Sequence, residues 1–211
     1  MFQNYLLQIG MGDLVQLDNN MIGISGYARS GKDTFGEALQ KILATHGIKA
    51  KTYALATQLK INIAQFTQNE FGIDSFTKND DEKYAIRPLL VGYGEAWRIA
   101  NPDHWLEILD SNLEPKTLPI ITDVRYENEA QYVLENDGFL LNINRVLPNG
   151  DFVNAANKEE EKNHPLVFPK CHFALCWNTT EDKNEIEQIV ENFIISILQD
   201  KLELWKAIYP L

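Results

Sequence analysis

The chain has 211 residues, 45% of them hydrophobic and 23% charged, and a formal net charge of −11, which suits one well-packed domain. The acidic balance excludes broad, sequence-independent binding to nucleic acid or to an anionic membrane, since either needs a basic surface. Two cysteines are too few for a disulfide framework, and no run reaches the roughly 18 apolar residues that span a bilayer, so a cytoplasmic protein is expected.

Residues 1–20 lack the basic start, apolar run and small-residue cleavage site of a signal peptide, and carry no pattern that assigns them a structure. A short apolar strand (Met21, Ile22, Ile24) then runs into Gly26-x-x-x-x-Gly31-Lys32. Apolar residues at Phe35, Ala38, Leu39, Ile42 and Leu43 predict a helix directly after it. Strand, glycine-bounded loop and helix together are the context of a phosphate-binding P-loop. Glycines let the backbone amides turn inward, and the helix adds the positive end of its dipole. Lys32 would reach the β- and γ-phosphates of a nucleoside triphosphate. The next position, usually Ser or Thr, is Asp33, with the hydroxyl one place later at Thr34. A carboxylate there still suits Mg²⁺, directly or through a water.

Gly47 supplies a helix stop, 50–55 reads as a strand and 56–66 as a helix carrying Lys60. The polar segment 68–83 reads as loop. Arg87, Trp97 and Arg98 follow, and Asn101-Pro102 marks the start of a helix holding Trp105, Leu106, Ile108 and Leu109. The apolar run 118–122 ends in Asp123, as in a buried parallel strand that delivers a carboxylate at its carboxyl edge beside the metal. A helix over 126–136 closes at Gly138, and 139–144 is the next strand. The polar stretch 146–170, with its charge run Lys158-Glu159-Glu160-Glu161-Lys162, reads as an unstructured lid. The last strand covers 172–177, and an amphipathic helix carries Ile186 to Leu198. Cys171, His172 and Cys176 lie around an apolar stretch without a fourth ligand in zinc spacing, so they read as buried residues. An apolar face at Leu204, Trp205 and Ile208 is either core or a homodimer contact.

Five strands alternating with helices imply an α/β fold, a five-stranded parallel sheet with helices on both faces. Against fourteen lysines there are only five arginines. Arg29 in the loop, Arg125 just beyond Asp123 and Arg145 at the end of the following strand all fall at the carboxyl edge, where such folds bind ligands. Guanidinium forks suit phosphate oxygens, so the set points to phosphoryl transfer. Arg87 and Arg98 read either as part of that set or as surface ion pairs.

The loop GISGYARSGKDT, the segments RPLL and GEAWR followed by NPDHWL, and ITDVRYENEA occur in this order. Together they resemble the deoxynucleoside monophosphate kinases of large tailed bacteriophages, from about residue 21 to 145 and more weakly to 177. The resemblance implies a P-loop kinase three-layer sandwich: a core at about 21–55, 114–145 and 171–211, an inserted monophosphate-binding region at about 56–113, and a lid at about 146–170. It implies transfer of the γ-phosphate of ATP, with Mg²⁺, to a deoxynucleoside monophosphate. In that match Gly26, Arg29, Ser30, Gly31, Lys32, Asp33 and Thr34 hold the ATP phosphates. Lys60, Arg87, Trp97 and Arg98 serve the acceptor, with Trp97 either a stacking surface or core. Asp123 assists the metal with Asp33, Arg125 holds phosphate, and Arg145 clamps phosphates as the lid closes. Glu129 either accepts from sugar or base or is a solvated helix-face carboxylate. The lid departs from the family: it is acidic, has no arginine after Arg145, and has Leu166-Val167 where polar residues are expected. The animal type of phosphomevalonate kinase shares a similar GKD loop and strand-end Asp-x-Arg, and a non-catalytic ATP-binding switch is the rival of another class.

Overall fold

The computed structural model describes residues 5–8, 21–178 and 182–211; the rest of the extension at 1–20 lies outside them. In chain order the elements are β1 (Tyr5–Gln8), β2 (Ile22–Ser25), α1 (Lys32–Thr45) and β3 (Ala50–Tyr53), then α2 (Ala56–Phe71), α3 (Asp80–Ala100) and α4 (His104–Asn112). After these come β4 (Leu118–Val124), α5 (Glu127–Glu135), β5 (Phe139–Val146), α6 (Lys158–Val167) and β6 (Phe173–Asn178). The chain ends in α7 (Lys183–Phe193), a π-helical turn at Ile194–Leu198 and α8 (Gln199–Ile208). Two compact units result, Ala54–Asn112 and the remainder.

The larger unit holds a sheet in the order β1-β6-β5-β2-β4-β3. Its five strands from β2 to β6 run parallel, as the alternation of strands and helices predicts. An additional strand, β1, pairs antiparallel with β6 and caps that edge. Every residue of β4 is buried, because helices cover both faces. Ile22 and Ile24 join Phe35, Leu39, Val190 and Phe193 in the main core. Gly23 points the other way, where a Cβ would come within 3.0 Å of Val133 on α5. Trp205 is fully buried in the same core, whereas Leu204 and Ile208 are partly exposed, so the three do not form one surface face.

Two helical stretches correct the sequence reading. The segment 68–83 is not a continuous loop: α2 runs on to Phe71, and α3 begins at Asp80. The Asn79 side chain accepts from the amides of Asp81 and Glu82, and Asp80, Asp81 and Glu82 fill the first turn, where carboxylates favour the helix dipole. The stretch 146–170 is not wholly unstructured, since Asn157 caps α6 in the same manner. Within the smaller unit, Leu59, Ile63, Ile86, Trp105, Leu106 and Leu109 are buried. Gly94 permits the close approach of α3 to α2, because a Cβ there would stand 2.8 Å from Leu59 Cδ1. Among the described residues no helix is long and apolar enough to cross a membrane.

Candidate active site

The strand β2 lies between β4 and β5, and the chain leaves it first toward one side and later toward the other. Such a switch point opens a crevice at the carboxyl ends of the strands, and the loop from Gly26 to Gly31 sits there. Gly26 has φ +135°, and a Cβ on it would meet the Ile143 carbonyl oxygen at 2.3 Å. Gly31 has φ +93°, and a Cβ would meet the Trp177 ring at 2.3 Å. Neither position tolerates a side chain without a shift of its surroundings. Trp177 Nε1 donates to the Ser30 carbonyl at 2.8 Å, which ties the loop to β6. The Ser30 hydroxyl is buried and has no hydrogen-bond partner among the described residues.

Lys32 opens α1 and curls back over the loop, its Nζ donating to the carbonyls of Gly26 (2.8 Å) and Tyr27 (2.7 Å). Its pKa is lowered from 10.5 to about 8, first by burial and then by the Arg125 guanidinium, while Glu160, Asp33 and Asp123 act in the opposite sense. Lys32 therefore lies within electrostatic reach of one cation, Arg125, and of three carboxylates.

The pairing of β2 with β4 shifts register between Gly23 and Ser25, so two residues of β4, Thr122 and Asp123, oppose the single Ile24. Bulges of this kind re-aim side chains beside active sites. Here the Thr122 hydroxyl donates to Asp33 Oδ1 at 2.8 Å, which links the carboxylate after Lys32 to the end of β4. Asp123 is buried next to it in sequence. Glu129 is not a solvated helix-face carboxylate: it is 3% exposed, and its Oε2 accepts from the amides of Arg125 (2.8 Å) and Tyr126 (3.0 Å). It caps the start of α5 and shapes the turn that presents Arg125.

The helix α6 contributes groups that the sequence reading left in a featureless charge run. Glu160 is nearly buried; its Oε1 pairs with Arg125 Nη1 at 3.3 Å, and its Oε2 accepts from the loop amide of Ala28 at 3.2 Å and from the Ala156 amide at 3.0 Å. One turn on, the His164 ring packs on Tyr27 with centroids 4.3 Å apart, and its Nε2 lies 3.1 Å from Asn142 Oδ1. Burial and then the charge of Lys32 lower the His164 pKa. Gly26, Tyr27, Arg125, Tyr126, Glu160 and His164 line a cleft open to solvent. The Asn157-x-x-Glu160 spacing is a helix-start signal visible in the sequence, but the contact with Ala28 spans 132 residues and is not.

Arg145 closes the other side of the loop, with Nη1 donating to the Arg29 carbonyl at 3.1 Å. Arg29 itself is exposed with φ +66°, and Thr34 is exposed on the first turn of α1. The larger unit thus gathers Gly26, Arg29, Ser30, Gly31, Lys32, Asp33, Thr34, Asp123, Arg125 and Arg145 along the carboxyl edge of its sheet. Lys60, Arg87, Trp97 and Arg98 belong to the smaller unit. There the Lys60 ammonium lies over the Phe76 ring, and Trp97 is stacked on His104 with one side exposed, so it is not core. Cys171 and Cys176 are buried free thiols, Cys171 pushed up to about 12 by burial, and His172 Nδ1 accepts from the Leu140 amide.

No protein-family model matches the chain, and no curated protein does. Solved structures similar to it include shikimate kinase from Aquifex aeolicus vf5, at 16% identity and TM-score 0.46, over 86% of this chain and 98% of that one. Shikimate kinase from Acinetobacter baumannii, in complex with shikimate, is similar at 13% identity and TM-score 0.43, over 89% and 98% of the two chains. A gluconokinase from Sinorhizobium meliloti 1021 is similar at 13% identity and TM-score 0.37, over 85% and 98%.

Proposed function

We propose that the chain is a kinase that transfers the γ-phosphate of ATP to a deoxynucleoside 5′-monophosphate, giving ADP and the diphosphate. The observation that supports it most directly is the pair Lys32 and Arg125: the guanidinium from the end of the neighbouring strand acts on the loop lysine and, after burial, lowers its pKa the most. An ATP-only site needs the loop and its lysine; a second fixed cation facing the same space suits a second phosphorylated ligand. The resemblance of the motifs names that ligand as a nucleoside monophosphate.

The residues fit a triphosphate. An amide of the loop, that of Ala28, already holds a carboxylate oxygen, and the buried Ser30 hydroxyl lacks the partner that a phosphate oxygen would provide. Asp33 and Asp123 are the residues that would hold Mg²⁺, which when bound neutralises phosphate charge. Thr122 orients Asp33 through one oxygen, and the Asp33 carboxylate is exposed. In this reading Gly26, Arg29, Ser30, Gly31 and Thr34 cradle the ATP phosphates. Lys32 stabilises charge on the transferring group, Arg125 holds the acceptor phosphate, and Arg145 clamps from the far side. Lys60, Arg87, Trp97 and Arg98 serve the acceptor on the strength of the resemblance alone. The attacking oxygen belongs to a phosphate monoester, an anion at neutral pH, so alignment and charge neutralisation suffice without a general base. Such substrates place the activity in a cytoplasm, that of the host if the chain is phage-encoded.

A coupled ADP-release assay with ATP across the deoxy- and ribonucleoside monophosphates, with phosphomevalonate as the rival acceptor, tests this. Stimulation by one or more deoxynucleoside monophosphates is expected. ADP release driven by phosphomevalonate alone, or ATP binding with no acceptor-stimulated release, overturns it.

A further inference from the structure

Glu160 holds the partners that an incoming phosphate would use. Its two oxygens take the Ala28 amide inside the loop and the Arg125 guanidinium beyond β4, and its side chain is only 7% exposed. It also faces the buried Lys32, whose charged form it favours. An ionised carboxylate in that position is an internal ligand of the anion site, carried in by a helix far along the chain. A phosphate cannot share these donors with it, because two anions within a few ångströms repel strongly. Four residues on, His164 is fastened separately, to Asn142 and to the Tyr27 ring. The first turn of α6 can therefore leave while its second half stays.

We propose that Glu160 is a built-in competitor for the phosphate site, seated on Ala28 and Arg125 and displaced by a phosphate group, which releases the first turn of α6. The proposal rests on the reading above only in that the loop binds phosphate; the identity of the acceptor does not enter. Removing the negative charge then removes the competition. A residue that merely braces the site would have the opposite signature, since its loss would loosen the loop and weaken binding.

The test is ADP binding by the full chain, measured calorimetrically at fixed ionic strength. Glu160→Gln keeps the size of the side chain and is expected to bind ADP about fivefold more tightly than wild type. Equal or weaker binding overturns the proposal. If the variant does not fold, hydrogen exchange in the wild-type chain decides: amides of 156–161 should exchange faster when ADP is added, and unchanged or slower exchange overturns it. Failure of the acceptor assay leaves both measurements as they are, so the two ideas fall separately.

Discussion

Trp177 Nε1 donates to the carbonyl oxygen of Ser30 across 147 residues, at 2.8 Å and out of solvent. The indole is thus both a core side chain, edge-on to Phe35 at 5.9 Å, and the floor of the phosphate loop. Trp177→Phe keeps an aromatic ring but leaves the Ser30 carbonyl without its donor. The expected loss is about 1–3 kcal/mol of stability, read as a lower urea midpoint at unchanged slope, together with weaker ATP binding. A wild-type midpoint and affinity would show that the bond contributes nothing.

Gly31→Ala should cost more than the same change at Gly47. Both glycines have positive φ, +93° and +78°, but only Gly31 has a neighbour in the way, the Trp177 ring at 2.3 Å from an added Cβ. Gly47 has nothing within 4 Å, so it reports conformational strain alone, roughly 1–2 kcal/mol. At Gly31 a packing penalty of similar size adds to the strain and falls on the loop itself. Parallel denaturation of the two variants checks this; equal losses would mean that the ring moves aside freely.

Most of the sheet was legible because its strands are short, apolar and followed by helices with a clear apolar face. β4 is the clearest case: an unbroken apolar run delivering Asp123 at the edge of the sheet. The helix α3 was not read from the sequence: its start lies in the polar segment that reads as loop, although Asn79 with three acidic residues announces it, and Pro88 lies inside it. The added strand β1 carries no period that separates it from its surroundings. Lys32 and Arg125 were found from local motifs, whereas Glu160, Thr122 and Trp177 act through partners distant in sequence. The bulge at Thr122–Asp123 is a property of pairing with β2, and a single strand does not reveal it.

Lys32 should make stability and binding move in opposite directions with pH. Its pKa is about 8 in the folded chain against 10.5 for the ordinary side chain, so between these values the unfolded chain binds more protons. Stability from this group therefore rises with pH across that window, by roughly 3 kcal/mol in all. At pH 7 the buried charge is a cost, and Lys32→Met should be more stable than wild type there, with the gap closing by pH 10. Phosphate affinity follows the charge instead and should fall as pH rises past about 8 in wild type alone, with turnover in Lys32→Met down by about a thousandfold. A Lys32→Met chain less stable than wild type at pH 7 would sink the assignment.

Arg125 sets where that fall occurs. After burial, its guanidinium is the larger reason why Lys32 gives up its proton so early. Arg125→Met removes the repulsion, so the alkaline loss of ADP affinity should move to higher pH. Arg125→Lys keeps a charge in place and should leave the midpoint near that of wild type. The two variants separate the roles of charge and of the fork. In acceptor kinetics both should raise KM, because an ammonium does not reproduce the two parallel donors that a guanidinium offers a phosphate. The pH titration of ADP binding needs no acceptor, so it measures the Lys32–Arg125 coupling whatever the second substrate is. A midpoint that is the same in Arg125→Met and wild type would mean that the two cations do not sense one another, and the case for a shared phosphate site would lose its main support.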